Sequence, residues 1–180
     1  MAAEDHAGPT PESFDVLVEI PRGSRNKYES DKQTGRIWLD RTLFTSTTFP
    51  ADYGHIPGTI ARDGDPINAL VLVAEPTFPG CLVTAKPVGV FWMHDDERGD
   101  LHQDTKILCV PGHDQRFDAV NDLSDLPEST LKEIWHFFDV YKDLEPGRST
   151  QITGWGDARE AHDAMVEAIG RFGSRQGAGS

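Results

Sequence analysis

The sequence contains little cysteine, and this limits how its fold can be stabilised. Only two cysteines occur in 180 residues, Cys81 and Cys109, and both lie inside apolar runs typical of strands. This number and placement favour buried apolar side chains over the two halves of a disulfide. We expect both to be small buried side chains in a reducing compartment, and we predict a cytoplasmic protein.

Long apolar runs are also missing. No stretch approaches the ~20 apolar residues that a membrane-spanning helix needs, so we expect no membrane association. The N-terminal residues lack a basic start followed by an apolar block and do not resemble a secretory signal. We predict a flexible extension over residues 1–12, a single domain over 13–172 and a flexible tail over 173–180.

Positive charge is scarce as well. Seventeen Lys and Arg residues stand against thirty Asp and Glu residues, which gives a formal net charge of −13. Proteins that bind nucleic acids neutralise phosphates with basic patches, so a DNA- or RNA-binding role is not expected. A small phosphate compound remains a possible ligand if metal cations supply the positive charge.

Short apolar runs punctuated by proline and glycine dominate the first two thirds of the chain. Residues 14–20 alternate between apolar and polar, as a half-buried strand does. Residues 31–35 separate two strand-like segments and predict a hairpin. Further strands are predicted over 68–73, 81–86, 88–93, 106–110 and 150–153.

Helical periodicity appears only late in the chain. Asp125 as N-cap and Pro127 in the first turn predict a helix whose buried face carries Leu131, Ile134, Trp135 and Phe138. A second helix is predicted from about Asp157 to Phe172. Strands followed by helices indicate the α+β class, and we predict a small closed OB-like antiparallel β-barrel with peripheral C-terminal helices.

The segment Asp63-Gly64-Asp65-Pro66-Ile67-Asn68 is the most informative part of the sequence. Two carboxylates lie two residues apart in a turn, and glycine and proline suit that turn because one tolerates unusual backbone angles and the other restricts them. The apolar run that follows reads as a buried strand, so the carboxylates are expected at its mouth.

A second acidic segment runs from Asp95 to Asp104 and is predicted to be a long loop. Magnesium is held by a few carboxylates together with water and substrate phosphates, and the two acidic segments could supply those carboxylates. His94 and His102 flank or lie within the same loop, where they could bind a transition metal or remain solvated.

These motifs resemble the soluble Mg²⁺-dependent inorganic pyrophosphatases, whose signature is D-x-D-P-x-D. Asn68 stands in the place of the final Asp. The similarity extends from about Phe14 to Trp155. The sequences of two segments, residues 25–29 and 108–111, look most like those of actinobacterial members. The matching segments are residues 19–21, 25–29, 40–41, 49–54, 106–111 and 136–147.

The resemblance implies a reaction and a role for particular residues. It implies that Asp65 is the general base that helps deprotonate a metal-bound water, and that pyrophosphate is hydrolysed to two phosphates without a covalent enzyme intermediate. Several Mg²⁺ ions per site are implied, with Asp63, Asn68, Asp95, Asp104 and Glu19 as metal residues. Substrate binding is implied for Lys27, Glu29, Arg41, Tyr53, Lys106, Tyr141 and Lys142. Resemblance to bacterial members also implies a homohexamer.

Asn68 leaves alternatives open. An amide oxygen can ligate one ion, but it brings no negative charge and bridges two ions poorly. The chain could therefore be an inactivated or repurposed homologue that acts on or binds an organic diphosphate, or a binder of protein partners. Asn68 could equally be an engineered substitution that traps substrate.

Overall fold

The computed structural model describes residues 8–177, so most of the predicted N-terminal extension and the last three residues lie outside the described part. Within these residues the chain forms eight strands and two α-helices. The strands are β1 (Phe14–Ile20), β2 (Asn26–Ser30), β3 (Ile37–Thr42), β4 (Asp52–His55), β5 (Asn68–Val71), β6 (Leu82–Glu97), β7 (Asp100–Pro111) and β8 (Arg148–Gly156). The helices are α1 (Glu128–Val140) and α2 (Ala158–Gly177).

Five strands close into a barrel, as the sequence predicted. The order is β1-β4-β5-β7-β6, and β1 also pairs with β6, which closes the ring. β8 extends the sheet by pairing with β6, and β2 and β3 form a separate hairpin. The pairings are antiparallel except for β5 with β7, which run parallel from the Asn68–Lys106 pair onward.

Strands β5, β6 and β7 are buried on both faces, which explains why they read as continuous apolar runs. One face contributes Leu70, Phe91 and Leu108 to a cluster that includes Phe137 and Phe138 of α1. The other contributes Val71, Val90 and Cys109 to a cluster that includes Met165 of α2. The two helices therefore cover opposite faces of these strands.

The two predicted strands at 81–86 and 88–93 are wrong, because they form the single strand β6. Proline cannot donate a backbone hydrogen bond, so Pro87 was interpreted as a break. The structure accommodates it at a β-bulge, where the register with β7 shifts between Pro87 and Gly89.

The predicted long loop between Asp95 and Asp104 is also wrong. β6 continues to Glu97, β7 begins at Asp100, and only Arg98 and Gly99 form the turn. Both turn residues have positive φ, 58° and 89°, as a tight two-residue hairpin turn of type I′ requires. The polar composition suggested a loop, but pairing with β7 and β8 holds the segment in strand geometry.

The late helices differ from prediction at their ends. Asp125 does not cap α1: it belongs to a short 3-10 turn, and Pro127 is the N-cap without a side-chain hydrogen bond. Trp135 was expected in the core but is 38% exposed, whereas Phe138 is buried. α2 continues past Phe172 to Gly177, into the segment predicted as a tail.

The two cysteines are free thiols, as expected from their number. Cys109 is fully buried, and Cys81 is only half-buried because it precedes β6 rather than lying within it. No helix in residues 8–177 is long and apolar enough to cross a membrane.

Candidate active site

A cavity of about 500 Å³ opens between the barrel and the β2–β3 hairpin, and it collects residues from distant parts of the sequence. All of the predicted site residues except Lys106 line it. They are Glu19, Lys27, Glu29, Arg41, Tyr53, Asp63, Asp65, Asn68, Asp95, Asp104, Tyr141 and Lys142. Asp63, Asp65, Asp95 and Asp104 lie on its barrel side, whereas most of the cations, together with Glu29 and Asp40, come from the hairpin and the end of α1.

Asp63 and Asp65 belong to a tight turn just before β5. The Asp63 Oδ1 accepts a hydrogen bond from the Asp65 N–H at 3.0 Å, and the Ala61 N–H donates to the Asp65 carbonyl at 2.7 Å. Gly64 has φ of 95°, which a residue with a side chain adopts only with strain. The turn presents both carboxylates at the cavity mouth, and burial together with the Asp65 and Asp104 charges raises the pKa of Asp63.

Asn68 is the first residue of β5 and points into the same cavity. Its Nδ2 donates to the Gly54 carbonyl on β4 at 3.3 Å. This leaves the amide Oδ1 as the atom that can face a cation.

Lys106 lies behind the cavity wall and is 1% exposed. Its Nζ contacts both oxygens of Asp104, at 2.8 and 2.7 Å, and the Tyr53 hydroxyl at 3.1 Å. The ammonium also lies over the Tyr53 and Phe138 rings. A buried ammonium with these partners is fixed in position, and its carboxylate partner opens onto the cavity.

Each of the other predicted cations also has a carboxylate partner. Lys142 forms a salt bridge with Asp95, and Lys27 forms one with Glu29. Arg41 donates from Nε and Nη2 to the two oxygens of Glu145, both at 3.0 Å. The cavity is therefore a set of matched charges in which every cation that could bind phosphate already contacts an acid.

Both predicted tyrosines remain neutral phenols. Burial and the charge of Asp104 raise the pKa of Tyr53 well above its usual value, and burial and the charge of Asp95 do the same for Tyr141. They can donate hydrogen bonds to phosphate oxygens but cannot act as anions near neutral pH.

Glu19 lies deeper than the other acids and is 3% exposed. Its Oε1 lies 3.1 Å from His55 Nδ1, 3.4 Å from Lys32 Nζ, and within hydrogen-bonding distance of Ser30. Burial raises the pKa of Glu19, but the hydrogen bonds from His55 and Ser30 and the charges of His55 and Lys32 outweigh it and lower the pKa to about 2.

Three comparisons with known proteins agree on the family. The family model described as inorganic pyrophosphatase matches residues 16–173. The chain is 49% identical over 164 residues to the inorganic pyrophosphatase of Streptomyces coelicolor, covering 91% of this chain and 98% of that one. It is 52% identical over 156 residues to that of Leifsonia xyli, covering 87% and 93%.

Solved structures show the same relationship. The crystal structure of the inorganic pyrophosphatase from Thermus thermophilus superposes with a TM-score of 0.86 at 40% identity, covering 94% of this chain and 97% of that one.

The chain belongs to the inorganic pyrophosphatase family.

In this family member the structure also adds cavity residues that the sequence reasoning left out. Lys32, Asp40 and Arg148 line the cavity, and Glu145 holds Arg41. Arg148 contacts Glu145 at 3.3 Å, and Lys27 lies 3.8 Å from Asp40. Glu145 lies in a segment already matched to the family, whereas Lys32 lies in a hairpin turn with no signal of its own.

Proposed function

We propose that this pyrophosphatase family member catalyses Mg²⁺-dependent hydrolysis of inorganic pyrophosphate to two phosphates. The observation that carries this proposal is the cavity that joins five aspartates to five lysines or arginines. Relatives at about 50% identity are named inorganic pyrophosphatases, which supports the same activity. A diphosphate carries several negative charges, so its binding needs both parts of such a site: carboxylates that hold metal cations, and protein cations that contact the phosphate oxygens.

The donor set of the acidic half fits Mg²⁺. Asp63, Asp65, Asp95 and Asp104 offer carboxylate oxygens, and Asn68 offers an amide oxygen. Mg²⁺ is bound by hard oxygen ligands of this kind and retains several waters. When bound, it would offset phosphate charge and lower the pKa of a coordinated water.

The basic half would hold the two phosphate groups. Lys27, Arg41 and Lys142 donate hydrogen bonds from the cavity wall, and the neutral phenols of Tyr53 and Tyr141 can add further donors. Their positions are held before substrate arrives by the carboxylate partners described above, so little side-chain entropy is lost on binding. Donors that are already oriented also stabilise the charge that grows on the leaving phosphate.

Asp65 is the proposed general base. It lies at the cavity mouth, exposed, with its backbone fixed by the turn, so its carboxylate can accept a proton from the attacking water. As the water oxygen bonds to one phosphorus, its proton passes to Asp65 and the bond from that phosphorus to the bridging oxygen breaks, which releases the second phosphate; no enzyme nucleophile is needed.

Asn68 supports a second candidate function. A neutral amide where a carboxylate is expected weakens the hold on Mg²⁺, and this suits a homologue that acts on or binds an organic diphosphate. The two candidates share the cavity and the cations, and they differ in how well pyrophosphate itself is turned over.

Phosphate release from pyrophosphate with Mg²⁺, measured for this chain and for Asn68→Asp in parallel, distinguishes them. We expect activity in both, with the Asp variant faster and saturating at lower Mg²⁺. The added charge lies within contact distance of a dication, an interaction on the order of several kcal/mol before screening and desolvation. If about 1.4 kcal/mol of it is retained in the transition state, the rate rises about tenfold.

The other outcomes are equally informative. Activity only in Asn68→Asp would favour an inactivated or repurposed homologue, and activity in neither would favour another substrate or a binding role. An Asn68→Asp variant that is no faster and binds Mg²⁺ no better would mean that the site is built around the amide.

We further propose a cytoplasmic homohexamer. Support comes from exposed large apolar side chains in the barrel half of the chain, among them Phe44, Phe78 and Leu82. On the two helices, the large exposed apolar residues are Trp135 and Val166.

A further inference from the structure

The hairpin of β6 and β7 places a histidine beside the acidic half of the site. His102 pairs directly with Asp95 across the two strands, and it lies on the same face of β7 as Asp100 and Asp104 because side chains alternate along a strand. A cavity of about 280 Å³ connects it with the acidic cluster. Its lining residues are Asp63, Asp65, Asn68, Asp95, His102 and Asp104.

The other histidine of this hairpin does not share that position. His94 neighbours Asp95 along β6 and therefore faces the opposite side, and it is not among the cavity residues. Of the two histidines considered in the sequence, His102 therefore lies beside the acidic residues and His94 does not.

A carboxylate orients the ring of His102. The Nε2 atom lies 3.1 Å from the Asp100 Oδ2, so a neutral imidazole donates from Nε2 and carries its lone pair on Nδ1. Histidines that ligate metals almost always donate the other ring N–H to a carboxylate, a carbonyl or water in this way. His102 is half exposed, so a cation can reach the ring.

The donor set of this cavity is thus mixed. It contains four carboxylates, the neutral amide of Asn68 and one imidazole nitrogen. Mg²⁺ prefers an all-oxygen set, whereas first-row transition ions such as Co²⁺ and Zn²⁺ bind imidazole well. Mn²⁺, the weakest of that series, still gains more affinity from an imidazole nitrogen than Mg²⁺ does.

We propose that the acidic half of this site binds a divalent transition-metal ion through His102 Nδ1 together with neighbouring carboxylates, and that His102 biases the site toward such ions over Mg²⁺. The inference rests on the proposed function for the existence of a divalent cation site. It adds the chemical class of the ion and the residue that selects it.

Binding requires the carboxylates to exchange partners. In the part of the chain that the structure describes, no three His, Cys, Asp or Glu side chains already converge on one point. Asp95 is held by Lys142, and Asp104 is held by Lys106. Release of Asp95 from Lys142 would free a carboxylate directly opposite His102 in the hairpin.

Calorimetric titration of Mn²⁺ and of Mg²⁺, each alone, into the full-length chain and its variants tests the proposal. His102→Asn should weaken Mn²⁺ binding by about tenfold or more and Mg²⁺ binding by less than about threefold, because only Mn²⁺ gains substantially from the nitrogen. His113→Asn, which removes an exposed histidine in a turn outside the cavity, is the matched control and should change neither affinity.

Pulsed electron paramagnetic resonance on the Mn²⁺ complexes supplies a readout that does not depend on activity. The unmodified chain and His113→Asn should show nitrogen coupling that changes on ¹⁵N-histidine labelling, and His102→Asn should lose it. Equal loss of Mn²⁺ and Mg²⁺ affinity in His102→Asn, no loss of either, or coupling that persists without His102 would each overturn the proposal.

The proposed function is judged separately in the same samples. Mg²⁺-dependent release of phosphate from pyrophosphate together with an unchanged Mn²⁺ affinity in His102→Asn would leave the function standing and remove the role of His102. Absence of binding by either ion would overturn both.

Discussion

Asp63 and Asp65 share one turn, but their surroundings suit them to different tasks. One Asp63 oxygen is occupied by the Asp65 N–H at 3.0 Å, and the charges of Asp65 and Asp104 lie close to it. A site that gathers like charges is stabilised by a cation, so Asp63 suits metal binding. Asp65 is as exposed as Asp63, but no hydrogen bond among the described residues occupies its carboxylate oxygens, so it suits exchange of a proton with water.

Substitution of each acid by Asn separates these tasks. Asp65→Asn should lower turnover by about 10² to 10⁴-fold, because an amide cannot accept the proton, and should leave most of the Mg²⁺ affinity. Asp63→Asn should weaken Mg²⁺ binding more than Asp65→Asn does. Steady-state phosphate release and Mg²⁺ calorimetry on both variants provide the measurement, and near-full activity in Asp65→Asn would show that another group is the base.

At the scale of the elements, a buried acid joins three strands beneath the cavity. Glu19 of β1 accepts hydrogen bonds from Ser30 of β2 and lies beside His55 of β4. The β2–β3 hairpin belongs to a separate sheet, so this contact helps to attach it to the barrel. Since the hairpin carries Lys27 and Arg41, the Glu19 contacts also position the basic half of the site.

The Glu19 contacts predict a pH dependence of stability. The pKa is about 2 in the folded chain and 4.5 in the reference state, so the folded form favours the ionised carboxylate. The stabilisation is complete above about pH 4.5 and is lost as the pH falls toward 2. The shift corresponds to about 3 kcal/mol.

Urea unfolding without added metal, measured between pH 2 and 6, tests this expectation. Glu19→Gln should show a weaker loss of stability over the window than the unmodified chain does. Glu75→Gln, at an exposed position, should keep the original slope. Parallel slopes in all three proteins would mean that Glu19 has no stabilising interaction to lose.

At the scale of the whole molecule, exposed apolar side chains bear on the proposed assembly. Phe44 is 70% exposed and Phe78 is 65% exposed. Burial of such side chains between subunits is favourable, at roughly 25 cal/mol per Å² of apolar surface. We expect light scattering to give a mass near six times the 19.9 kDa of one chain. A mass near 20 kDa would contradict the hexamer.

An Asp substitution at each of these two positions provides a control for the assembly. Phe44→Asp and Phe78→Asp should lower the measured mass if the side chains lie between subunits, because a charge in an apolar interface is costly. Phosphate release by the resulting smaller species would show whether the cavity functions within one chain.

Local patterns in the sequence predicted the barrel strands that carry such patterns, the hairpin between β2 and β3 and the approximate positions of both helices. Together with the family resemblance, they also picked out most of the residues that line the cavity. These features depend on periodicity, on turn residues and on motifs such as Asp63 to Asn68, all of which are local in the chain. The family resemblance then grouped Lys27, Arg41 and Lys142, which no local pattern connects.

The remaining features of the fold and the site depend on pairing between distant segments, so they are visible in the tertiary structure and not in local patterns. The polar run from Asp95 to Asp104 is a hairpin. Its first half is the end of β6, which pairs with β7 on one side and with β8 on the other. Glu145 accepts a hydrogen bond from Arg41, which is 104 positions away in the sequence, and no local pattern predicts this contact. The same pairing turns His102 toward the acids and His94 away from them, a choice that alternation along a strand makes only once the register is set.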